Sequence, residues 1–156
     1  MRASANIGGH PIHPALIPFP IGLWVFSFVA DLIFLWRGNP LWEEYIAFYT
    51  LLAGIIGAVL AAVFGMIDRL GMKETDAVPT ANLHMGLNVV ALLVFVVSFY
   101  LRTASGMHMT GGSFKIPFVL SLIGIILIAI SGYLGGELVF RYGVGVEARP
   151  EGSPEA

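Results

Sequence analysis

Histidines and carboxylates near the ends of the hydrophobic segments are the side chains of this chain best suited to chemistry. They are His10, His13, Asp68, His84 and Glu137. Neutral imidazoles bind haem iron and transition-metal ions, and carboxylates complete many mixed nitrogen and oxygen sites. Ionisable groups at membrane depth cost about 2.5–3.5 kcal/mol each on insertion scales, although less near the interface. A set of them at a common depth therefore indicates a functional site.

Four apolar blocks must position these side chains. The chain has 156 residues, of which 57% are hydrophobic and 12% charged, and its mean hydropathy is +0.84. Each block is long enough to cross a hydrocarbon core of about 30 Å as a helix, and no alternating barrel pattern is present. The blocks are Ala15–Trp36, Ile46–Ile67, Leu83–Leu101 and Ile116–Phe140.

These blocks predict an all-α integral membrane four-helix bundle with the N- and C-termini on the same side. Residues 15–142 form the transmembrane domain, residues 1–14 a pre-helical segment, and residues 143–156 a tail that we expect to be disordered. An even number of spans brings the start of spans one and three to the same face as the end of spans two and four. We therefore expect His10 and His13 to meet Asp68, His84 and Glu137 there, with Asn88 one helical turn from His84.

The remaining charges suggest an orientation. Five basic residues lie on the terminal side: Arg2, Arg69, Lys73, Arg141 and Arg149. Three lie on the other side: Arg37, Arg102 and Lys115. This bias predicts cytoplasmic termini in a cytoplasmic (inner) membrane. Arg102 is counted here as an interfacial charge. Asp31 lies inside the first span, where we expect a hydrogen bond to a neighbouring helix or to water.

Two forms of site remain open, beside a third possibility without a cofactor. In the first, His13 and His84 are the axial ligands of a b-type haem, with His10 as the alternate for His13. Asp68, Asn88 and Glu137 then support the ligands or handle protons. The glycines expected to leave room for the macrocycle are Gly22, Gly65, Gly86, Gly132, Gly135 and Gly136. In the second, His10, His13, His84, Asp68 and Glu137 supply ligands to a transition-metal ion for transport or sensing.

The third possibility is a membrane scaffold or interaction module in which these residues are ordinary interfacial groups. Glu137 and Arg141, for example, have the spacing of an ion pair on one helix. The small residues Ala53, Gly57, Ala61 and Gly65 form a stripe that predicts close helix packing, either within the chain or in a homodimer.

Several classes of function are disfavoured by composition. A net charge of −2 gives no basic face for nucleic acid, and the absence of cysteine excludes disulfides and thiolate-bound clusters. No nucleophile–base arrangement or phosphate-binding loop is evident, so we do not expect an enzyme. No internal repeat is evident along the chain. The expected partner common to all remaining possibilities is the lipid bilayer.

Two motifs resemble a known family. The start and the end of the chain are similar to those of bacterial membrane proteins of domain-of-unknown-function family 2231. The opening motif is Gly9-His10-Pro11-Ile12-His13-Pro14, followed by Phe19-Pro20-Ile21-Gly22-Leu23. The closing motif is Gly135-Gly136-Glu137-Leu138 with Gly143-Val144-Gly145-Val146. The resemblance implies a four-helix membrane protein. Some relatives are fused to cytochrome c or Rieske-type domains, which implies haem, electron transfer, and a redox partner domain or quinone. The matching positions are His10, His13, Asp68, His84, Asn88 and Glu137.

Overall fold

A computed structural model describes residues 4–104 and 112–146. A short antiparallel hairpin of β1 (Asn6–Ile7) and β2 (His10–Pro11) comes first. The helices that follow are α1 (Ile12–Leu16), α2 (Pro18–Arg37), α3 (Phe48–Gly71), α4 (Val78–Ala104) and α5 (Gly112–Phe140), with a π-helix, Leu41–Ala47, leading into α3.

Four of these segments have the length and apolar character needed to cross a membrane. They are Ile12–Arg37, Leu41–Gly71, Val78–Ala104 and Phe114–Phe140. The predicted all-α bundle is confirmed, and each span extends the predicted block at one or both ends. Large apolar side chains cover the outside of the bundle; Phe140 is 91% exposed and Leu70 is 77% exposed. In water such a surface would be unfavourable, whereas lipid solvates it.

The ends of α2 follow from its sequence. Pro18 and Pro20 lie in its first turn, where a missing N–H costs little, and Gly38 ends it in the left-handed conformation at φ +65°. Pro117 is placed differently from these two prolines. Because α5 begins at Gly112, Pro117 lies inside the helix.

Each long helix packs against its neighbours in sequence, and α5 also packs against α2, which closes the bundle. The diagonal helices α2 and α4 meet in the middle, where the rings of Trp24 and Phe95 stack with centroids 4.2 Å apart. The buried core around them includes Leu51, Ala91 and Ile128. Most of the small-residue stripe of α3 packs within the chain, because Gly57 lies against Pro20 and Gly65 against the His13 ring, whereas Ala53 is exposed.

The described N- and C-terminal segments meet at one end of the bundle, which we call the histidine end because it also holds His13 and His84. There the Ala5 N–H donates to Asp68 Oδ1 at 2.7 Å, and Gly145 lies beside Pro11. Val144 packs on a small cluster of buried residues from the start of α4 and the end of α5. Of the predicted tail, residues 143–146 belong to this end, and residues 147–156 lie outside the described residues.

Candidate functional site

His13 lies in α1 and reaches across to α3. Its Nδ1 is 2.8 Å from the carbonyl oxygen of Ala61. A carbonyl oxygen only accepts, so Nδ1 carries the hydrogen and donates, and the lone pair of the neutral ring is on Nε2. The ring rests on Gly65, where an added Cβ would lie 2.7 Å from His13 Cε1. Only glycine leaves the imidazole room in this position.

His84 is held in a closely similar way between α4 and α5. Its Nδ1 is 2.8 Å from the carbonyl oxygen of Ser131, and the Ser131 hydroxyl is 3.0 Å from the same nitrogen. The ring lies beside Gly135, where an added Cβ would be 3.1 Å from Cε1. Asn88 Nδ2 is 3.1 Å from Nε2 and also donates to the His84 carbonyl oxygen at 2.9 Å.

The two imidazoles lie at the same end of the bundle, His13 against α3 and His84 against α5. Both are half-buried and both present Nε2 as the nitrogen able to bind a metal. Hydrogen bonding of Nδ1–H to a backbone carbonyl is the usual way in which proteins fix the tautomer and orientation of a ligating histidine. Each histidine therefore offers Nε2 as a candidate ligand atom, one from α1 and one from α4.

The other predicted site residues make different contacts. His10 is exposed on β2, and Asp68 accepts from the Ala5 backbone. Glu137 lies 3.6 Å from Arg141 in an i,i+4 pair. Across residues 4–104 and 112–146, no three histidine, aspartate or glutamate side chains are close enough to hold one metal ion.

The glycines expected near the site also differ in what they contact. Gly65 and Gly135 lie directly against the two imidazoles, whereas an added Cβ at Gly22, Gly86 or Gly132 would meet no atom within 4 Å. These last three are exposed on the outer surface of the bundle. Of the glycines expected to make room for a macrocycle, only the first two face a histidine.

A second polar cluster lies at the opposite end of the bundle, which we call the ion-pair end. Arg102 Nη1 and Nη2 bond to the two carboxylate oxygens of Asp31 at 2.9 and 2.6 Å, and both side chains are fully buried. Glu43 is 3.8 Å from Arg102 Nη1 and is 2% exposed. A two-pronged pair of this kind combines charge with fixed geometry.

Serine hydroxyls complete the ion-pair end. Ser121 Oγ is 3.3 Å from both Arg102 Nη2 and Ser98 Oγ. Ser98 in turn donates to the Pro117 carbonyl oxygen at 3.0 Å, and Ser27 donates to the Ala47 carbonyl oxygen at 2.8 Å. In a membrane these bonds satisfy groups that lipid cannot.

The expected helix–helix hydrogen bond of Asp31 is present, but its partner was missed. Arg102 was counted as an interfacial charge because it lies near a span end, yet it is buried and points inward. A signal was available: Asp31 and Arg102 each lie 18 residues after a histidine that begins a span, so both reach the same depth. Opposite charges at equal depth on parallel helices indicate a pair.

A family model described as "Predicted membrane protein (DUF2231)" matches residues 9–148. No curated protein and no solved structure matches the chain.

Proposed function

The chain belongs to the predicted membrane protein family DUF2231, and from that premise we propose that it binds a b-type haem between His13 and His84 and carries electrons in the membrane. The family match and the four membrane-length helices establish an integral membrane protein. Haem binding, its ligands and the electron-transfer role are the proposal.

The matched anchoring of the two histidines carries the proposal. Each Nδ1 is 2.8 Å from a backbone carbonyl oxygen of the adjacent helix, and each ring lies on a glycine four residues after that carbonyl. In the neutral form of each ring this bond leaves the lone pair on Nε2, which is the atom that binds iron. Two such nitrogens from different helices are the ligand set of a six-coordinate b-type haem.

Asn88 is compatible with this role. Its amide is 3.1 Å from His84 Nε2, so iron binding requires that bond to be given up. The same amide donates to the His84 carbonyl oxygen at 2.9 Å and keeps a partner afterwards. When bound, a haem with two imidazole ligands supplies one-electron chemistry. The protein's own part is to fix the two rings.

The finer assignments belong to the same proposal. Electrons would be exchanged with a redox partner domain or a quinone. Five basic residues on the terminal side, against Arg37 and Lys115 on the other once the buried Arg102 is left out, support cytoplasmic termini in the inner membrane.

The test is spectroscopic. The full chain is purified from haem-replete cells in mild detergent, and its oxidised and dithionite-reduced spectra are recorded before and after haem addition. We expect Soret and α bands of a six-coordinate haem, lost or changed to a five-coordinate form in His13→Ala and in His84→Ala. His10→Ala is the matched control, since His10 is exposed on β2, and its spectrum should equal that of the unaltered chain.

The other outcomes are decisive in different ways. No haem bands after reconstitution, with a folded protein, would overturn the proposal. An equal loss of the haem bands in His10→Ala would mean that the ligand had been assigned to the wrong histidine. A stoichiometric transition metal without haem, absent from His84→Ala, would instead favour the metal-ion site, and a protein binding neither would favour the scaffold.

A further inference from the structure

Contacts in the first half of the bundle recur in the second half at a constant spacing. His13 corresponds to His84, Trp24 to Phe95, and Ser27 to Ser98, always 71 positions apart. On the partner helices, Gly54 corresponds to Gly124, Ala61 to Ser131, and Gly65 to Gly135, always 70 positions apart.

Equivalent residues make equivalent contacts. Each histidine bonds through Nδ1 to the carbonyl of the residue at position 61 or 131 and lies on the glycine four positions later. Trp24 lies on Gly54 as Phe95 lies on Gly124, where an added Cβ would be 2.5 Å from either ring. Each serine donates to a carbonyl at the start of the facing segment, in Ala47 or Pro117.

Burial follows the same spacing. The buried residues of α2 include Pro20, Trp24, Ser27 and Asp31. The residues 71 positions later in α4 are also buried: Ala91, Phe95, Ser98 and Arg102. Gly54-Ile55-Ile56 recurs as Gly124-Ile125-Ile126, and Ser27-Phe28 as Ser98-Phe99. The absence of an internal repeat, expected from the sequence, is therefore corrected. The repeated roles are packing and hydrogen bonding, which tolerate changes of residue type.

We infer that the bundle is two copies of one helical hairpin related by a pseudo-twofold axis along the bundle, and that Asp31 and Arg102 make the two hairpins of one chain pair with each other. On a twofold axis a residue meets its own equivalent. Trp24 stacks on its equivalent Phe95, and Asp31 bonds to its equivalent Arg102. Both pairs therefore lie at the axis.

The charges distinguish correct from incorrect pairing. A hairpin with a twofold-compatible face can also pair with the same hairpin of a second chain. Such pairing would place Asp31 against Asp31, or Arg102 against Arg102, in a dry interior where like charges are strongly unfavourable. Only pairing of the first hairpin with the second brings the acid to the base. The inference is independent of haem binding.

The absence of cysteine from the chain provides a direct test. Phe95→Cys places one thiol at the axis. In the native pairing it faces Trp24 of the same chain and cannot form a disulfide. If second hairpins of two chains pair with each other, two such thiols meet and a disulfide-linked dimer forms on mild oxidation.

Phe95→Cys is examined in two backgrounds of the full chain in detergent. One keeps the charges, and the other carries Asp31→Leu, Arg102→Leu and Glu43→Gln, which removes the whole buried cluster. Apolar replacement of a buried ion pair is often tolerated, so the second background is expected to fold. We expect its disulfide-linked dimer fraction to be about tenfold higher than in the charged background, as a pairing preference of about 1.4 kcal/mol predicts.

Leu93→Cys, on the lipid-facing side of α4 with Leu93 58% exposed, is the matched control for chance collisions and should cross-link equally in both backgrounds. Equal and low cross-linking of Phe95→Cys in both backgrounds, with a folded monomer, would show that the charges do not choose the pairing. If the charge-free background does not fold, two chains expressed together provide the second measurement, one with Arg102→Leu and Trp24→Cys and the other with Asp31→Leu and Phe95→Cys. Pairing of the retained Asp31 with the retained Arg102 brings these two thiols together, so co-expression should raise the cross-linked fraction above that of either chain alone, and no rise would overturn the inference.

Discussion

The two ends of the bundle use equivalent positions in opposite ways. At the histidine end, positions 13 and 84 carry the same residue, and each ring bonds to the backbone of a neighbouring helix. At the ion-pair end, positions 31 and 102 carry opposite charges that satisfy each other directly. The two histidines do not bond to each other, and the haem proposal places a bound group between them. The complementary charges of Asp31 and Arg102 pair with each other and fill the interior.

The two ends of the bundle also differ in how far their polar side chains are buried. Asp31 and Arg102 are fully buried, whereas His13 and His84 are half-buried. Stability should therefore depend mainly on the ion-pair end, and ligand binding on the histidine end.

Removing one partner of the ion pair should have the largest effect. Arg102→Leu leaves Asp31 and Glu43 as buried acids without the guanidinium, which we expect to cost about 3–5 kcal/mol. The folded fraction by size-exclusion chromatography and the thermal unfolding midpoint would measure it. Adding Asp31→Leu and Glu43→Gln should recover most of the loss. A single Arg102→Leu chain as stable as the unaltered one would contradict the importance of the pair.

Filling the space under an imidazole should have the next largest effect. Gly65→Ala places a Cβ 2.7 Å from His13 Cε1, so the ring must move, at a cost of about 1–3 kcal/mol. Haem occupancy by absorbance should fall with little loss of folded protein. Gly135→Ala should act in the same direction but less, since its Cβ would be 3.1 Å from the His84 ring. Gly86→Ala, with no atom within 4 Å, is the control that should bind haem normally.

Asn88→Ala should separate the haem-free from the haem-bound protein. Without haem the amide hydrogen-bonds His84 Nε2, and its loss should lower the unfolding free energy by about 1 kcal/mol. With haem that nitrogen is taken by iron, so the two haem-bound proteins should be equally stable, and the variant should bind haem about fivefold more tightly because it has no bond to give up. Thermal unfolding with and without haem measures both. An equal loss in the two states would show that Asn88 does not compete for His84.

His10→Ala should have the smallest effect. His10 is exposed, and an exposed surface substitution usually changes stability by no more than about 0.5 kcal/mol. Neither the unfolding midpoint nor haem occupancy should change. A clear fall in haem occupancy would return His10 to the ligand set.

Hydropathy was sufficient to predict the four spans, since each block is long and nearly free of charge. It also predicted that His13 and His84 lie at one end, because span order fixes which helix ends meet. The rotation of each helix about its axis was not predictable. Asp68 and Glu137 lie at the expected depth, yet they contact Ala5 and Arg141.

The Asp31–Arg102 pair and the repeat were missed for a related reason. Charge counting assigns each basic residue to the nearest span end, and the partner of Arg102 is 71 positions away. The repeat conserves contacts more than residue types. The carbonyl that accepts from a histidine belongs to Ala61 in one half and Ser131 in the other, and the stacked ring belongs to Trp24 in one half and Phe95 in the other. Backbone carbonyls have no sequence signature, so such equivalence becomes visible only when the contacts are known.

The π-helix at Leu41–Ala47 has a consequence for the register of α3. Ser27 precedes its carbonyl partner by 20 positions, whereas Ser98 precedes its own by 19. The first hairpin thus contains one additional residue before Ala47. A wider π turn holds an extra residue per turn, so a surplus residue taken up there would not rotate the rest of the helix. One residue added to a regular α-helix would instead turn every later side chain by about 100°, and Gly65 would no longer face His13.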